Sequence, residues 1–247
     1  MTPLLEAREV SRTFRRGRKT VTALDRISLT VAPGEALGVV GQSGSGKTTL
    51  LRSLAGLLPV QQGQVLLESK PLETLPRRTV WQTMQMVFQT PQDSFDPRQT
   101  LGGAIGEALV HYGVPRDRVA VETSALLERC GLLPELASRY PHEVSGGQCQ
   151  RAAIARALAP KPRLLLCDEA TASLDATVQA QIMDLLTTLR QQGMAFVFVS
   201  HDLALVQQFC SRILVLHQGV VEEAGDTEQV LLRPLSGYTR RLVEASL

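Results

Sequence analysis

The chain has 247 residues, 44% of them hydrophobic and 20% charged, enough apolar material to bury a sizeable core, which excludes a disordered tail protein. Its 26 basic and 24 acidic residues leave a formal net charge of +2, so the balance carries no footprint for nucleic acid and none is expected as a partner. Cys130, Cys149, Cys167 and Cys210 stand singly with no C-x-x-C pair, which points to free core thiols rather than a zinc site or disulfide framework.

At the N-terminus, Met1-Thr2-Pro3 followed by Glu6 and Arg8 offers no signal-peptide core. The longest apolar runs, such as residues 164–167 and 195–199, fall far short of the roughly 18 residues that span a bilayer, so a cytosolic location is expected. Alternating apolar and polar residues at 4–10 and 27–31 predict antiparallel strands. Between them, Arg15-Arg16-Gly17-Arg18-Lys19 reads as a solvated hairpin turn; Gly17 and the flanking strands favour this over a phosphate-binding patch.

A buried-strand run at 36–40 then leads into a glycine-rich loop and a helix from about 47 to 58, and residues 64–68 return as another strand, a βαβ-like wiring. From about 92 to 160 strand signals vanish and helical stretches such as 101–111 and 118–130 dominate, which predicts an inserted helical subdomain. Strict alternation follows: strand 163–167, helix 176–192, strand 194–200, helix 203–210 and strand 213–216, the pattern of a parallel sheet. Val178, Ile182, Leu185, Leu186 and Leu189 form one apolar face of the first of these helices. The expected organisation is one domain, with residues 1–91 and 161–247 forming the core and β layer and about 92–160 the helical subdomain.

Gly41-Gln42-Ser43-Gly44-Ser45-Gly46-Lys47-Thr48 matches G-x-x-x-x-G-K-[ST] between a predicted strand and a predicted helix, the setting of a P-loop. The glycines let backbone N–H groups turn inward around a phosphate at a helix N-terminus, Lys47 neutralises charge on the β- and γ-phosphates, and the Thr48 hydroxyl is placed to ligate Mg²⁺. A P-loop alone does not separate a kinase, a GTPase and a transport ATPase. The strand Leu164-Leu165-Leu166-Cys167 ends in Asp168-Glu169, which delivers the Asp168 carboxylate to the metal and lets Glu169 polarise an attacking water. An Asp-Glu pair after a strand also suits a helix cap and first turn; its pairing with the P-loop favours the catalytic reading.

Val144-Ser145-Gly146-Gly147-Gln148, followed by Gln150-Arg151, resembles the signature motif of the ABC ATPases, placed before Asp168 at that family's spacing. Locally it is a backbone nest at a helix start; a plain Ser-Gly-Gly linker would explain that structure but not the company it keeps. The resemblance implies an α/β P-loop NTPase core of RecA-like type with an N-terminal antiparallel β layer and an inserted α-helical subdomain. It implies ATP and Mg²⁺ as cofactors, with Gly41, Ser43, Gly44, Ser45, Gly46, Lys47, Thr48 and Thr49 around the phosphates and Thr48, Gln89 and Asp168 around the metal. Gln89 resembles the Q-loop glutamine, Ser173-Leu174-Asp175 the D-loop and Ser200-His201-Asp202 the switch histidine, which implies Glu169, His201 and Gln89 as the catalytic set. It further implies a head-to-tail dimer in which Ser145, Gly146, Gly147, Gln148 and Asp175 complete the site of a second ATPase subunit, identical or not. Phe14 resembles the aromatic that stacks on adenine; packing within the β layer remains open for it.

Residues 86–98, 174–182 and Gly237-Tyr238-Thr239-Arg240 resemble the peptide/nickel importers, which implies integral membrane permease subunits, an external substrate-binding protein and a peripheral place on the cytoplasmic face of the inner membrane. The end at Leu247, without the cysteine-containing tail of many peptide-type members, leans towards a nickel-type or other metal-type subunit. Val144 and Cys149 depart from the residues usual at their positions without touching the phosphate-binding backbone. In relatives a groove between core and helical subdomain receives a helix of the membrane subunit, and residues 89–98 are expected to line it, with Phe95 and Arg98 as anchors. A soluble ABC ATPase of assembly or repair is the competing class; no long heptad pattern supports the repair type. An exporter is the third reading, set back by the importer-like stretches.

Overall fold

The structure, a computed structural model, describes residues 2–17, 19–172 and 174–245. Strands β1 (Leu5–Arg16) and β2 (Lys19–Val31) form a long hairpin paired from Leu5 opposite Val31 to Arg16 opposite Lys19, with bulges between. The strands predicted at 4–10 and 27–31 are its buried end. Gly17 turns at φ +62; Arg18 lies outside the described residues.

Strand β3 (Ala36–Val40) is buried throughout and feeds α1 (Lys47–Leu54). The helix stops short of residue 58 because Ala55 caps it and Gly56 turns left-handed at φ +68. Strand β4 (Gln62–Leu67) then corrects the βαβ expectation. It pairs antiparallel with β1, Ala7 opposite Val65 and Leu5 opposite Leu67, and with β5 (Lys70–Pro71) completes a sheet ordered β2-β1-β4-β5. The apolar residues of β4 join those of β1 in covering α1, so the chain returns to the first layer instead of extending a parallel sheet.

Helix α2 (Arg77–Thr83) and strand β6 (Met84–Val87) precede three helices, α3 (Leu101–His111), α4 (Val119–Arg129) and α5 (Gly146–Leu158), which pack on one another. The rest alternates: β7 (Leu164–Asp168), α6 (Ala176–Gln191), β8 (Ala195–Val199), α7 (Leu203–Phe209), β9 (Arg212–His217) and β10 (Val220–Asp226). Helices α8 (Thr227–Leu232) and α9 (Gly237–Glu244) follow. The second sheet has the order β10-β9-β3-β8-β7-β6, parallel except for β10 at its edge.

That sheet is buried on both faces, which is why its strands read as unbroken apolar runs. Leu165, Cys167, Phe196, Phe198, Ile213 and Val215 face one core shared with α5, α6 and α7; Leu164, Leu166, Val197, Val199, Leu214 and Leu216 face another shared with α1 and the antiparallel layer. Parallel pairing aims the C-terminal ends of β3, β6, β7 and β8 at one edge, where α/β folds place ligands. All four cysteines are free and buried. Burial pushes the Cys130 and Cys167 thiols up to about 12 and Cys149 to about 11. Among the described residues no helix is long and apolar enough to cross a membrane.

Candidate active site

In the loop after β3, Gln42, Ser43 and Gly44 are exposed, while Ser45 and Lys47 are buried. Gly46 is the N-cap of α1 at φ 110, with no side-chain cap on the helix's free N–H groups among the described residues. The Lys47 ammonium donates to the Gly41 and Gln42 carbonyls at 2.7 and 3.0 Å. Burial lowers its pKa, an effect opposed by the Glu169 and Asp168 carboxylates. The buried Ser45 hydroxyl has no partner among the described residues, an orphan donor that an anionic ligand in the loop would satisfy. Thr49 is half-buried in the first turn of α1.

The Thr48 hydroxyl donates to Asp168 Oδ1 at 3.2 Å, joining α1 to the end of β7. Asp168 is 6% exposed. Burial raises its pKa, assisted by neighbouring Glu169 and opposed by the Thr48 hydrogen bond and the Arg52 and Lys47 charges. Among the described residues no cluster of three His, Cys, Asp or Glu could cage a metal. Two hard oxygen donors beside a phosphate loop are the donor set that suits Mg²⁺, which takes one or two protein oxygens and fills its shell with phosphate and water.

Glu169 begins the turn after β7 at φ +48, a left-handed conformation that costs a side-chain-bearing residue energy and clusters at functional sites. Its N–H donates to the Val199 carbonyl at 3.1 Å. Gln89, carried past the end of β6, donates from its amide to Glu169 Oε2 at 3.1 Å, and His201 Nδ1 lies 3.5 Å from the same oxygen. His201 is held between the end of β8 and α7, which Asp202 caps through the Ala204 and Leu205 N–H groups. Gln89 and His201 therefore converge on one carboxylate oxygen of Glu169. Among the described residues no hydrogen bond joins Gln89 to Thr48 or Asp168.

Ser145 and Gln148 form a capping box at the start of α5: the Gln148 N–H donates to Ser145 Oγ at 3.2 Å and the Ser145 N–H to Gln148 Oε1 at 3.0 Å. Ser145 and Gly146 are exposed. Gly147 is buried so closely against α6 that a Cβ on it would come within 2.2 Å of Val178 Cγ1. Asp175 caps α6 by accepting the Val178 N–H at 2.9 Å; Ser173 lies outside the described residues. No hydrogen bond or ion pair links this group to residues 41–49 among the described residues.

Phe14 is 39% exposed, with the Arg12 guanidinium 5.2 Å from its ring centroid. The Gln61 side-chain oxygen accepts from the Thr13 N–H and hydroxyl at 2.6 and 2.9 Å, fixing the strand just before the ring. Two contacts escape sequence reasoning. Buried Gln150 of α5 donates to the Phe88 carbonyl at 3.4 Å, tying that helix to the residue before Gln89. Tyr238 reaches the P-loop from α9.

Within the expected docking segment, residues 89–98, buried and exposed side chains both occur. Ser94 and Phe95 are buried, with Arg156 stacked on the Phe95 ring at 5.2 Å and donating to the Ser94 carbonyl. Arg98 is exposed and paired with Asp96 at 3.1 Å. A neighbouring groove is lined by Leu57, Trp81, Gln85, Phe88, Tyr112 and Arg156.

Residues 24–172 match the ABC transporter family. The chain is 44% identical over 236 residues to the oligopeptide transport ATP-binding protein OppF of Escherichia coli (strain K12), covering 92% of this chain and 70% of that protein. It is 43% identical over 237 residues to the glutathione import ATP-binding protein GsiA of Salmonella typhimurium, covering 94% of this chain and 38% of that protein. Among solved structures it resembles the dimeric, post-hydrolysis ATP-binding cassette MJ0796 bound to ADP and Pi, with TM-score 0.81, 29% identity and coverage of 90% of this chain and 98% of that one. It also resembles cbiO1 of Clostridium perfringens, part of the ABC transporter complex cbiONQ, with TM-score 0.82, 26% identity and coverage of 100% and 96%.

Proposed function

The chain belongs to the ABC transporter family, whose ATP-binding proteins are ATPases, and on that premise we propose that it energises uptake of peptides through a membrane permease. The observation that carries the reaction is the convergence of Gln89 and His201 on one carboxylate oxygen of Glu169, at the sheet edge where Thr48 meets Asp168. ATP binds with its β- and γ-phosphates in the loop, met by Lys47, the Ser45 hydroxyl and the N–H groups at the start of α1. Thr48 and Asp168 would hold Mg²⁺, which would supply positive charge to the phosphate oxygens. Glu169 orients the attacking water and accepts its proton. Gln89 fixes the carboxylate's direction, and His201, 3.5 Å from the same carboxylate, contacts the γ-phosphate. Phe14 stacks on adenine, backed by Arg12.

Ser145, Gly146, Gly147, Gln148 and Asp175 lie apart from their own phosphate loop and complete the site of a second ATPase subunit, the same chain or a paralogue. The dimeric cassette to which the chain is similar supports this reading. The partners are permease subunits seated in the groove of Leu57, Trp81, Phe88 and Tyr112, with an external binding protein supplying cargo. The chain sits at the cytoplasmic face of the inner membrane. Of the two cargo classes expected from sequence, peptides are the one the relatives' names support. The test is uptake by vesicles carrying the permease subunits, the binding protein and this ATPase. ATP-dependent peptide entry is expected; hydrolysis with export, or failure of any membrane subunit to co-purify, overturns the proposal.

A further inference from the structure

Tyr238 lies in the last described helix, 196 positions from Gln42, yet its hydroxyl accepts the Gln42 N–H at 3.1 Å. The ring is 7% exposed and stacks on His217, with 3.9 Å between centroids and 28° between planes. His217 follows Leu216, whose carbonyl oxygen approaches Gly41 so closely that a Cβ there would come within 2.1 Å of it. The end of β9 thus forms a floor under the first residues of the P-loop, and the Tyr238 ring is laid across that floor.

The helix that carries Tyr238 is itself tied down. The Glu223 carboxylate accepts the Leu235 and Ser236 N–H groups at 3.0 Å each. The Ser236 hydroxyl donates to Glu222 at 3.1 Å and accepts the Tyr238 N–H at 3.1 Å. Gln42 is consequently gripped on both sides: Tyr238 takes its N–H, and the Lys47 ammonium donates to its carbonyl at 3.0 Å.

We propose that Tyr238 is a positioning residue for nucleotide binding: its hydroxyl holds the Gln42 amide so that the loop and Lys47 are preset before phosphate arrives. The proposal rests on reading residues 41–48 as the phosphate loop. Ordering paid in advance raises affinity without adding a contact to the ligand. One neutral hydrogen bond of this kind is worth about two- to tenfold in an equilibrium constant.

Tyr238→Phe keeps the ring and its stacking and removes only the acceptor. In the full-length chain, the Kd and KM for ATP are expected to rise about two- to tenfold, while kcat at saturating ATP stays unchanged. Wild-type Kd and KM overturn the proposal. A fall in kcat matching the loss of affinity overturns it as well, because the residue then does more than preset the loop. Lys47→Ala in the same binding assay separates the two levels: wild-type affinity in that variant sinks the phosphate-loop reading itself, whatever Tyr238→Phe does.

Discussion

Gln89 and Glu169, 80 positions apart in the chain, are joined by a hydrogen bond of 3.1 Å from amide to carboxylate. The amide can steer the carboxylate but cannot take a proton. Gln89→Ala should therefore lower kcat by about two- to tenfold, the worth of one hydrogen bond, and leave ATP affinity near wild type. A loss as large as that of removing the Glu169 carboxylate would give Gln89 a direct part in the chemistry.

Asp168 carries a stability cost. Burial raises its folded pKa above the ordinary value of an aspartate, so the folded state binds the proton more tightly than the unfolded chain. Its penalty is full above the folded pKa and disappears as pH falls below the unfolded one. At pH 7, Asp168→Asn should leave the nucleotide-free melting temperature equal or higher while weakening Mg²⁺-dependent ATP binding. A clear drop in melting temperature would mean that the carboxylate stabilises the fold.

Much of this edge was legible because each contributor stands at a strand end in a local pattern. The P-loop follows β3, Asp168 closes β7 and His201 follows β8, so strand-loop-helix context alone places them on one side of a parallel sheet. What was illegible depends on distant partners. The short apolar run within residues 64–68 indicates a strand but not that β1, rather than β3, receives it. Phe95 follows a polar turn and reads as an exposed anchor; the Arg156 that covers it lies far along the chain. Strand β10 has only half-buried alternate positions, and the short α8 and α9 give too few turns for a period, so the Tyr238 contact left no signal.

Gly147 should be intolerant of a methyl group. Gly147→Ala drives Cβ into Val178, an overpacking worth about 1–3 kcal/mol, offset in part by Ala's better helix propensity. Val178→Ala in the same chain should restore stability beyond the sum of the single changes. Denaturant unfolding of the four proteins measures the coupling; strict additivity would mean that α5 and α6 separate freely.

The groove lined by Trp81 and Tyr112 makes a separable prediction. Trp81→Arg or Tyr112→Arg should abolish co-purification with permease subunits and uptake, with ATP binding near wild type. Phe95→Ala should instead lower stability by about 3–5 kcal/mol, as for other buried aromatics. Loss of attachment from Phe95→Ala without destabilisation would return the docking surface to residues 89–98.

The central claim, that Glu169 activates water at an ATP site built by residues 41–48 and Asp168, is met most directly by Glu169→Gln. The amide keeps the size and polarity of the side chain but cannot accept the proton. ATP binding is expected to stay at the wild-type level, turnover to fall by at least about 10²-fold, and an ATP-bound dimer to accumulate. Near-wild-type hydrolysis by this variant would contradict the account.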